Sequence, residues 1–325
     1  MKPKRLYQFI GVAGFIFILY RIDISRIWGE LKEAQIGLLF SVGLLSCLVQ
    51  MMKSLRWNAL LRLNGISCSI LSTLRIYFIG TFMGAFTPAR VGDLSRVYFI
   101  KKYHAPERVA GQIFANVFVD RFFDLALVAC MALIGIPVLF KIWFREMALI
   151  SVFVIGLCWV MYSFRHKIID QVKPFLKPAD GLSNEISWTS HFDEAINGLR
   201  MLRTNRVVVP VLLNVLAYGI FFFALRLMAN SLRMEIPFWY LAVSMSAAMI
   251  LTFLPISIAG LGTRDAVLIF FFSFLEIKDE TIVGFSILYL FFFLLLPSLM
   301  GAVPYFLLSA AHKEMLIKKT DADLK

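Results

Sequence analysis

Charge is scarce in this 325-residue chain: Asp, Glu, Lys and Arg together make up 17% of it, too few to coat a soluble globule of that size. Cysteine and histidine are sparse as well, with four of each. Cys47, Cys68, Cys130 and Cys158 form no CxxC pair, and most of them sit in apolar runs, where a thiol behaves as a small hydrophobe. They imply neither disulfides nor a metal site, and His104, His166, His191 and His312 are too dispersed for a metal or nucleophile constellation. No metal and no cofactor are expected. The first twenty residues have a basic start (Lys2, Lys4, Arg5) and a short apolar stretch but no small-x-small cleavage site before Arg21, so they read as an uncleaved first span.

What the chain has in quantity is apolar surface: 60% of its residues are hydrophobic and 32 are Phe. Residues 36–52, 126–140 with their flanks, 147–164, 207–229 and 281–310 are near-continuously apolar over lengths approaching the ~20 residues that a helix needs to cross a hydrocarbon core. The fold class is therefore an all-α polytopic membrane protein in the cell membrane. The last run would be ~45 Å long at ~1.5 Å per residue, so it must tilt or kink near Pro297, Gly301 and Pro304.

The formal charge of +12 points to topology and not to nucleic acid, because Lys and Arg gather in the segments between apolar runs. Placing the basic segments 1–5, 53–75, 101–108, 165–206 and 313–325 in the cytoplasm puts both termini there. Residues 21–35, 141–146, 230–237 and 276–280 then lie on the other side. This threading leaves two apolar segments that must each enter and leave from one side. One re-entrant hairpin is expected over residues 70–100 and a second over 238–274, giving two halves, about 1–164 and 207–312. Residues 165–206 form a cytoplasmic connector, too short for an enzymatic domain, and 313–325 a basic tail.

The two hairpin tips echo each other. The first carries Thr87, Pro88, Ala89, Arg90, Gly92 and Asp93; the second carries Pro255, Ala259, Gly260, Gly262, Thr263, Arg264 and Asp265. Proline and glycine between apolar half-segments break the helix, and broken backbone at membrane depth is tolerated where protein or water surrounds it. Thr87 is a candidate N-cap with Pro88 at the first helical position, and Thr263 a candidate N-cap after flexible Gly260 and Gly262. Two inward-facing helix N-termini plus Arg90 and Arg264 would form an anion site suited to phosphate. Hairpins entering from opposite sides suggest an inverted repeat, a common transporter plan.

A third polar cluster holds Asn116, Asp120, Arg121 and Asp124 within an apolar stretch, with Asn116, Asp120 and Asp124 on one helix face. A carboxylate at the bilayer centre costs ~3 kcal/mol, so it should pair with a cation or line water. Arg90, Arg96 and Arg264 are the candidate partners. The alternative is that both carboxylates lie near the interface as structural counter-charges.

At these motifs the chain resembles the flippase-like integral membrane family that includes the transmembrane part of lysylphosphatidylglycerol synthases, the multiple peptide resistance factors. The resemblance runs from about residue 36 to 310. It rests on Pro88, Arg90, Gly92 and Asp93, on Asp120, Arg121 and Asp124, and on Pro255, Gly260, Gly262, Arg264 and Asp265. Ala89 and Ala259 stand where the family pattern has Gly, and Asp93 and Asp265 where it has Glu. The resemblance implies translocation of an anionic phospholipid or lipid-linked headgroup between leaflets. In the synthases, aminoacyl transfer belongs to an additional soluble domain; none is expected here, so the chain is not expected to charge lipids itself. Some relatives are linked to glycolipid or polyprenyl-phosphate pathways.

The expected headgroup-binding residues are thus Thr87, Arg90, Gly92, Gly260, Gly262, Thr263 and Arg264. Asp93, Asp120, Arg121, Asp124 and Asp265 would balance or relay charge. Membrane lipids are the expected partners, with a lipid-synthesising enzyme and a second copy of the chain as further possibilities. Two other classes stay open: an integral membrane enzyme using Asp120 and Asp124 as acid and base, and a scaffold contacted through residues 165–206.

Overall fold

A computed structural model describes residues 24–85, 87–107, 110–140, 205–252 and 260–307. The expected first span, the apolar run 147–164, the connector apart from its last two residues, the basic tail, and Pro255 and Ala259 of the second tip lie outside the described residues. Everything described is helical or a short connection, with no strand. Ile36–Leu63, Ala110–Phe140, Asn205–Ser231 and Asp279–Leu307 are each long and apolar enough to cross a membrane. The protein is a multi-pass, all-helical membrane protein.

The helices are α1 (Ile24–Glu33), α2 (Ile36–Leu63), α3 (Ile70–Ala85), α4 (Ser95–Tyr103), α5 (Ala110–Phe140), α6 (Val208–Ser231), α7 (Phe238–Thr252), α8 (Thr263–Ser273) and α9 (Asp279–Leu290). α9 runs on through a π-helical turn, Phe291–Leu295, to Leu307. That wider turn sits where Pro297 removes an N–H and its ring would crowd the Phe293 carbonyl, at the place where the sequence predicts a kink.

One order of elements occurs twice. A long helix, a short apolar helix, a break, a short helix and a long helix describe α2 to α5, and again α6 to α9. Among the described residues, α2 and α6 form the most extensive helix pair. They run antiparallel: the Gln35 N–H, at the start of α2, donates to the Ser231 carbonyl at the end of α6 (3.0 Å), while Arg56, late in α2, meets Asn214, early in α6. Each half's final helix then lies on the other half's short helix. α5 packs on α7, and the end of α9 packs on α3 through Phe82, Tyr305 and Phe306.

Glycine makes both crossings close. A Cβ on Gly135 of α5 would overlap Val243 of α7, and one on Gly301 would overlap the Phe78 carbonyl of α3. Because that obstacle is backbone, Gly301→Ala is expected to lower stability by about 1–3 kcal/mol, the usual range for overpacking. Thermal unfolding of the purified protein in detergent checks this; an unchanged midpoint would refute the close approach of α9 and α3.

Three of the four segments that charge assigned to one side of the membrane, 21–35 from residue 24 on, 230–237 and 276–280, gather at one end of the bundle, and the fourth, 141–146, lies outside the described residues. Arg26 pairs with Glu280 (3.4 Å), Arg233 with Glu33 (3.8 Å), and α1 packs on α9. At the other end, the α2–α3 connection and the residues after α4 share an apolar cluster containing Ile66, Cys68 and Ala105. Asn58 fastens that connection by donating to the Cys68 carbonyl (3.0 Å) and the Thr73 hydroxyl (2.7 Å).

One boundary needs correction. The sequence reading ends the second span at Met52 and assigns Lys53 and Arg56 to a basic loop, but α2 continues unbroken to Leu63. Gly65 then closes it in a left-handed turn (φ 70°), with the Ile66 N–H donating to the Leu61 carbonyl. The basic residues stay helical because their charges are answered inside the bundle.

Candidate functional site

The first break turns on Thr87. It is the N-cap of a 3₁₀ turn over Pro88–Leu94, with Pro88 at the first helical position as expected. Its hydroxyl accepts the Gly92 N–H (2.7 Å), which folds the tip back on itself. Gly92 lies so close to α3 that a Cβ would overlap the Met83 carbonyl. Further along α3, Gly84 and Gly80, one turn apart, leave room for the side chains of Asp93 and Arg96. Arg90 adopts a left-handed backbone (φ 55°), a strained state for a residue with a Cβ, and its side chain is exposed.

Asp93 and Arg96 point from the tip into a buried charge cluster centred on α5. Asp120 is fully buried and accepts from Arg56 Nη2 (2.6 Å), Arg56 Nε (2.9 Å), Arg96 Nη1 (3.0 Å) and Arg121 Nη2 (3.2 Å). Asp124 accepts from Arg56 Nη1 (2.8 Å) and pairs with Lys53 (3.2 Å) and Arg121 (3.4 Å). Asp93 pairs with Arg121 at 3.4 Å and more loosely with Arg96 at 4.0 Å. Arg56 also donates to the Asp120 carbonyl (3.0 Å) and to Asn214, whose own amide donates to the Phe123 carbonyl (3.1 Å). The cluster therefore ties α2, α4, the first tip, α5 and α6 together.

Of the three cations expected as partners, Arg96 reaches Asp120. Arg90 makes no side-chain hydrogen bond or ion pair among the described residues, and Arg264 is engaged elsewhere. Asp120 and Asp124 are both buried and held by cations from several elements. Lys53, Arg56 and Asn214 escaped the sequence reading. A signal was there, since Val42, Ser46, Val49, Arg56 and Leu60 follow helical spacing and all turn inward.

Aromatic rings line the cluster. The Arg96 guanidinium stacks over Trp57 (5.0 Å) and Tyr77 (4.7 Å), and the Lys53 ammonium lies 4.5 Å from the Tyr218 ring centroid. Arg121 also donates to the Tyr77 hydroxyl (3.2 Å).

The second break forms a separate cluster. Gly260 (φ 76°) and Gly262 (φ 78°) take the left-handed turns, and Gly262 caps α8, so Thr263 is the first helical residue and not the cap. Asp265 reaches back to accept the Gly262 N–H (2.8 Å). Arg264 is fully buried, paired with Asp265 (2.9 Å), donating to the Ser286 hydroxyl (2.6 Å) and stacked over Tyr289 (4.7 Å). Its Nη1 has no hydrogen-bond partner among the described residues. Tyr289 and Tyr218 both touch the Phe221 ring, so a run of aromatics links Arg264 to Lys53, with no direct ion pair between the clusters among the described residues.

The motif residues of the first tip and of α5 thus meet, as a shared chemistry would require. A family model described as the lysylphosphatidylglycerol synthase TM region matches residues 6–301. The chain belongs to this family. Among members of the lysylphosphatidylglycerol synthase TM-region family, it is similar to a UPF0104 membrane protein of Methanocaldococcus jannaschii, 24% identical over 336 residues that span 97% of this chain and 95% of that protein. A UPF0104 membrane protein of Pyrococcus horikoshii is 31% identical over 124 residues, 38% of this chain and 37% of the relative. The resemblance drawn from the tip and α5 motifs and the family match agree.

Proposed function

We propose that the protein translocates phosphate-bearing lipid headgroups between leaflets, with the first-tip cluster as the headgroup site. One observation carries the reading: the accessible charges of the cluster are all positive. Asp93, Asp120 and Asp124 expose at most 6% of their side chains, whereas Lys53 exposes 14% and Arg121 23%. Arg90, on the same tip as Asp93, is exposed outright. A phosphate arriving from the membrane would meet Arg90, Lys53 and Arg121, with the carboxylates beneath holding those cations in place.

The repeated order of elements, the antiparallel α2–α6 pair and the exchange of final helices support reading the halves as inverted repeats whose breaks are re-entrant hairpins. Arg264, with one guanidinium nitrogen left over, is the counterpart of the first cluster in the other half. Rocking of the halves about α2 and α6 would expose the headgroup site to one leaflet and then to the other. The ion-paired state of Asp120 and Asp124 suits charge binding better than acid and base catalysis, which ranks the enzyme reading below this one.

Liposomes carrying a fluorescent phospholipid and an external quencher give the test. The wild-type protein should speed the loss of inner-leaflet label, and Arg121→Gln should slow it by about tenfold or more while the protein stays monodisperse. Label loss no faster than in protein-free vesicles, for phosphodiester and phosphomonoester lipids alike, would overturn translocation.

A further inference from the structure

The three carboxylates of the first-tip cluster are not held alike. Asp120 accepts hydrogen bonds from three arginines and Asp124 accepts one from Arg56 at 2.8 Å, whereas Asp93 Oδ2 is buried and accepts none among the described residues. It lies 3.4 Å from Arg121 Nη1 and 4.0 Å from Arg96 Nη2, held by charge alone. Arg121 is loosely held in turn. Its contacts to Asp93, Asp120, Asp124 and the Tyr77 hydroxyl run from 3.2 to 3.4 Å, against 2.6–2.9 Å for those of Arg56 to the carboxylates of Asp120 and Asp124. It is also the most exposed of the four cations that pair within the cluster.

The two neighbours of Asp93 join it to different elements. Arg121 stands on α5, so that pair crosses from the tip to another helix, and among the described residues it is the only ion pair that reaches α5 from the 3₁₀ turn. Arg96 stands three residues on, at the start of α4, and its buried Nη2 has no hydrogen-bond partner among the described residues. A shift of about 1 Å would bring that donor and Asp93 Oδ2 into a hydrogen bond.

We propose that Asp93 holds the place on Arg121 that a headgroup phosphate takes, so that lipid binding is an exchange of partners: a phosphate oxygen takes Arg121 Nη1, and Asp93 retires to Arg96 Nη2. This rests on reading the cluster as the headgroup site. The exchange leaves no carboxylate unpaired, because one guanidinium replaces another. It also turns a tie between the tip and α5 into one between the tip and α4. An occupied site therefore releases the tip from α5, and the return of Asp93 to Arg121 expels the headgroup. Asp93 is a positioning residue, setting affinity and release through Arg121 without touching the lipid.

The test measures binding and transport on the same variants of the full-length protein. Binding uses phosphatidylglycerol labelled on one acyl chain, in mild detergent, with unlabelled phosphatidylglycerol and inorganic phosphate as competitors. Asp93→Asn removes the internal competitor and should tighten binding by about fivefold, while translocation in liposomes becomes slower because nothing drives the headgroup off Arg121. A residue that merely supported the fold would weaken binding and transport together. Asp93→Glu keeps the charge, so the field at the site is unchanged, but its longer side chain reaches Arg121 more fully. It should weaken binding by about threefold, and it decides alone if Asp93→Asn does not fold.

Tighter binding by Asp93→Asn with no change in Asp93→Glu would reduce the effect to net charge and overturn the exchange. Weaker binding by Asp93→Asn, or tighter binding by Asp93→Glu, would overturn it as well, and both results leave the headgroup site standing. Displacement of the label by inorganic phosphate at the concentration effective for phosphatidylglycerol would make the occupant a free anion and overturn the headgroup reading. Absence of saturable binding by the wild-type protein would sink the headgroup site and the exchange together.

Discussion

Arg56→Met will cost the folded protein about 3–5 kcal/mol, the usual penalty for removing one partner of a buried ion pair. Arg56 makes the shortest bonds to both Asp120 (2.6 Å) and Asp124 (2.8 Å), and it spans to α6 through Asn214. Its loss leaves carboxylates in a region where water cannot replace the guanidinium. Arg56→Lys keeps the charge but not the fork that serves Asp120, Asp124 and a main-chain carbonyl together, so it should fall between wild type and Arg56→Met. Size-exclusion recovery and thermal unfolding in detergent provide the readout. Adding Asp120→Asn to Arg56→Met should restore part of the loss, because it removes the charge of a carboxylate that the first change left with Arg96 and Arg121 alone. A double variant no more stable than the single one would show that the cost comes from packing and not from unpaired charge.

Gly92→Ala is expected to disable the first tip. The added Cβ would fall on the Met83 carbonyl, a backbone atom that cannot rotate away, so the tip and α3 must separate. Separation carries Asp93 off Arg121, loosening one wall of the cluster. The stability loss should be about 1–3 kcal/mol. Lipid translocation should fall much further than recovery of folded protein, because the tip places the cluster's rim. Gly219→Ala is the control: no atom lies within 4 Å of a Cβ there, and in a helix interior alanine is favoured by up to about 1 kcal/mol. Wild-type translocation by Gly92→Ala would remove the tip from the mechanism.

Hydropathy made the long helices α2, α5, α6 and α9 legible, and proline and glycine made the two breaks legible, because both are local properties of the chain. The shared helix face of Asp120 and Asp124 was legible for the same reason. Span ends were less so. Lys53 and Arg56 looked like the start of a loop because a charge next to an apolar run ordinarily marks the water interface, and the helical spacing that carried them inward was a fainter signal than their charge. Thr263 looked like a cap because threonine often is one; the structure gives that position to Gly262, whose left-handed backbone tightens the turn enough for Asp265 to reach the cap N–H.

By itself, the sequence determined that this is an all-helical membrane protein of the lysylphosphatidylglycerol synthase TM-region family, with broken helices at two polar tips and carboxylates that need partners. Hydrocarbon excludes unsatisfied backbone and unpaired charge, so composition and periodicity suffice for that much. Which cation answers which carboxylate was decided by the tertiary structure. Arg56 lies 64 residues from Asp120 and 158 from Asn214 along the chain. Their meeting depends on α2 crossing both α5 and α6, a consequence of packing between helices that no single stretch of sequence encodes.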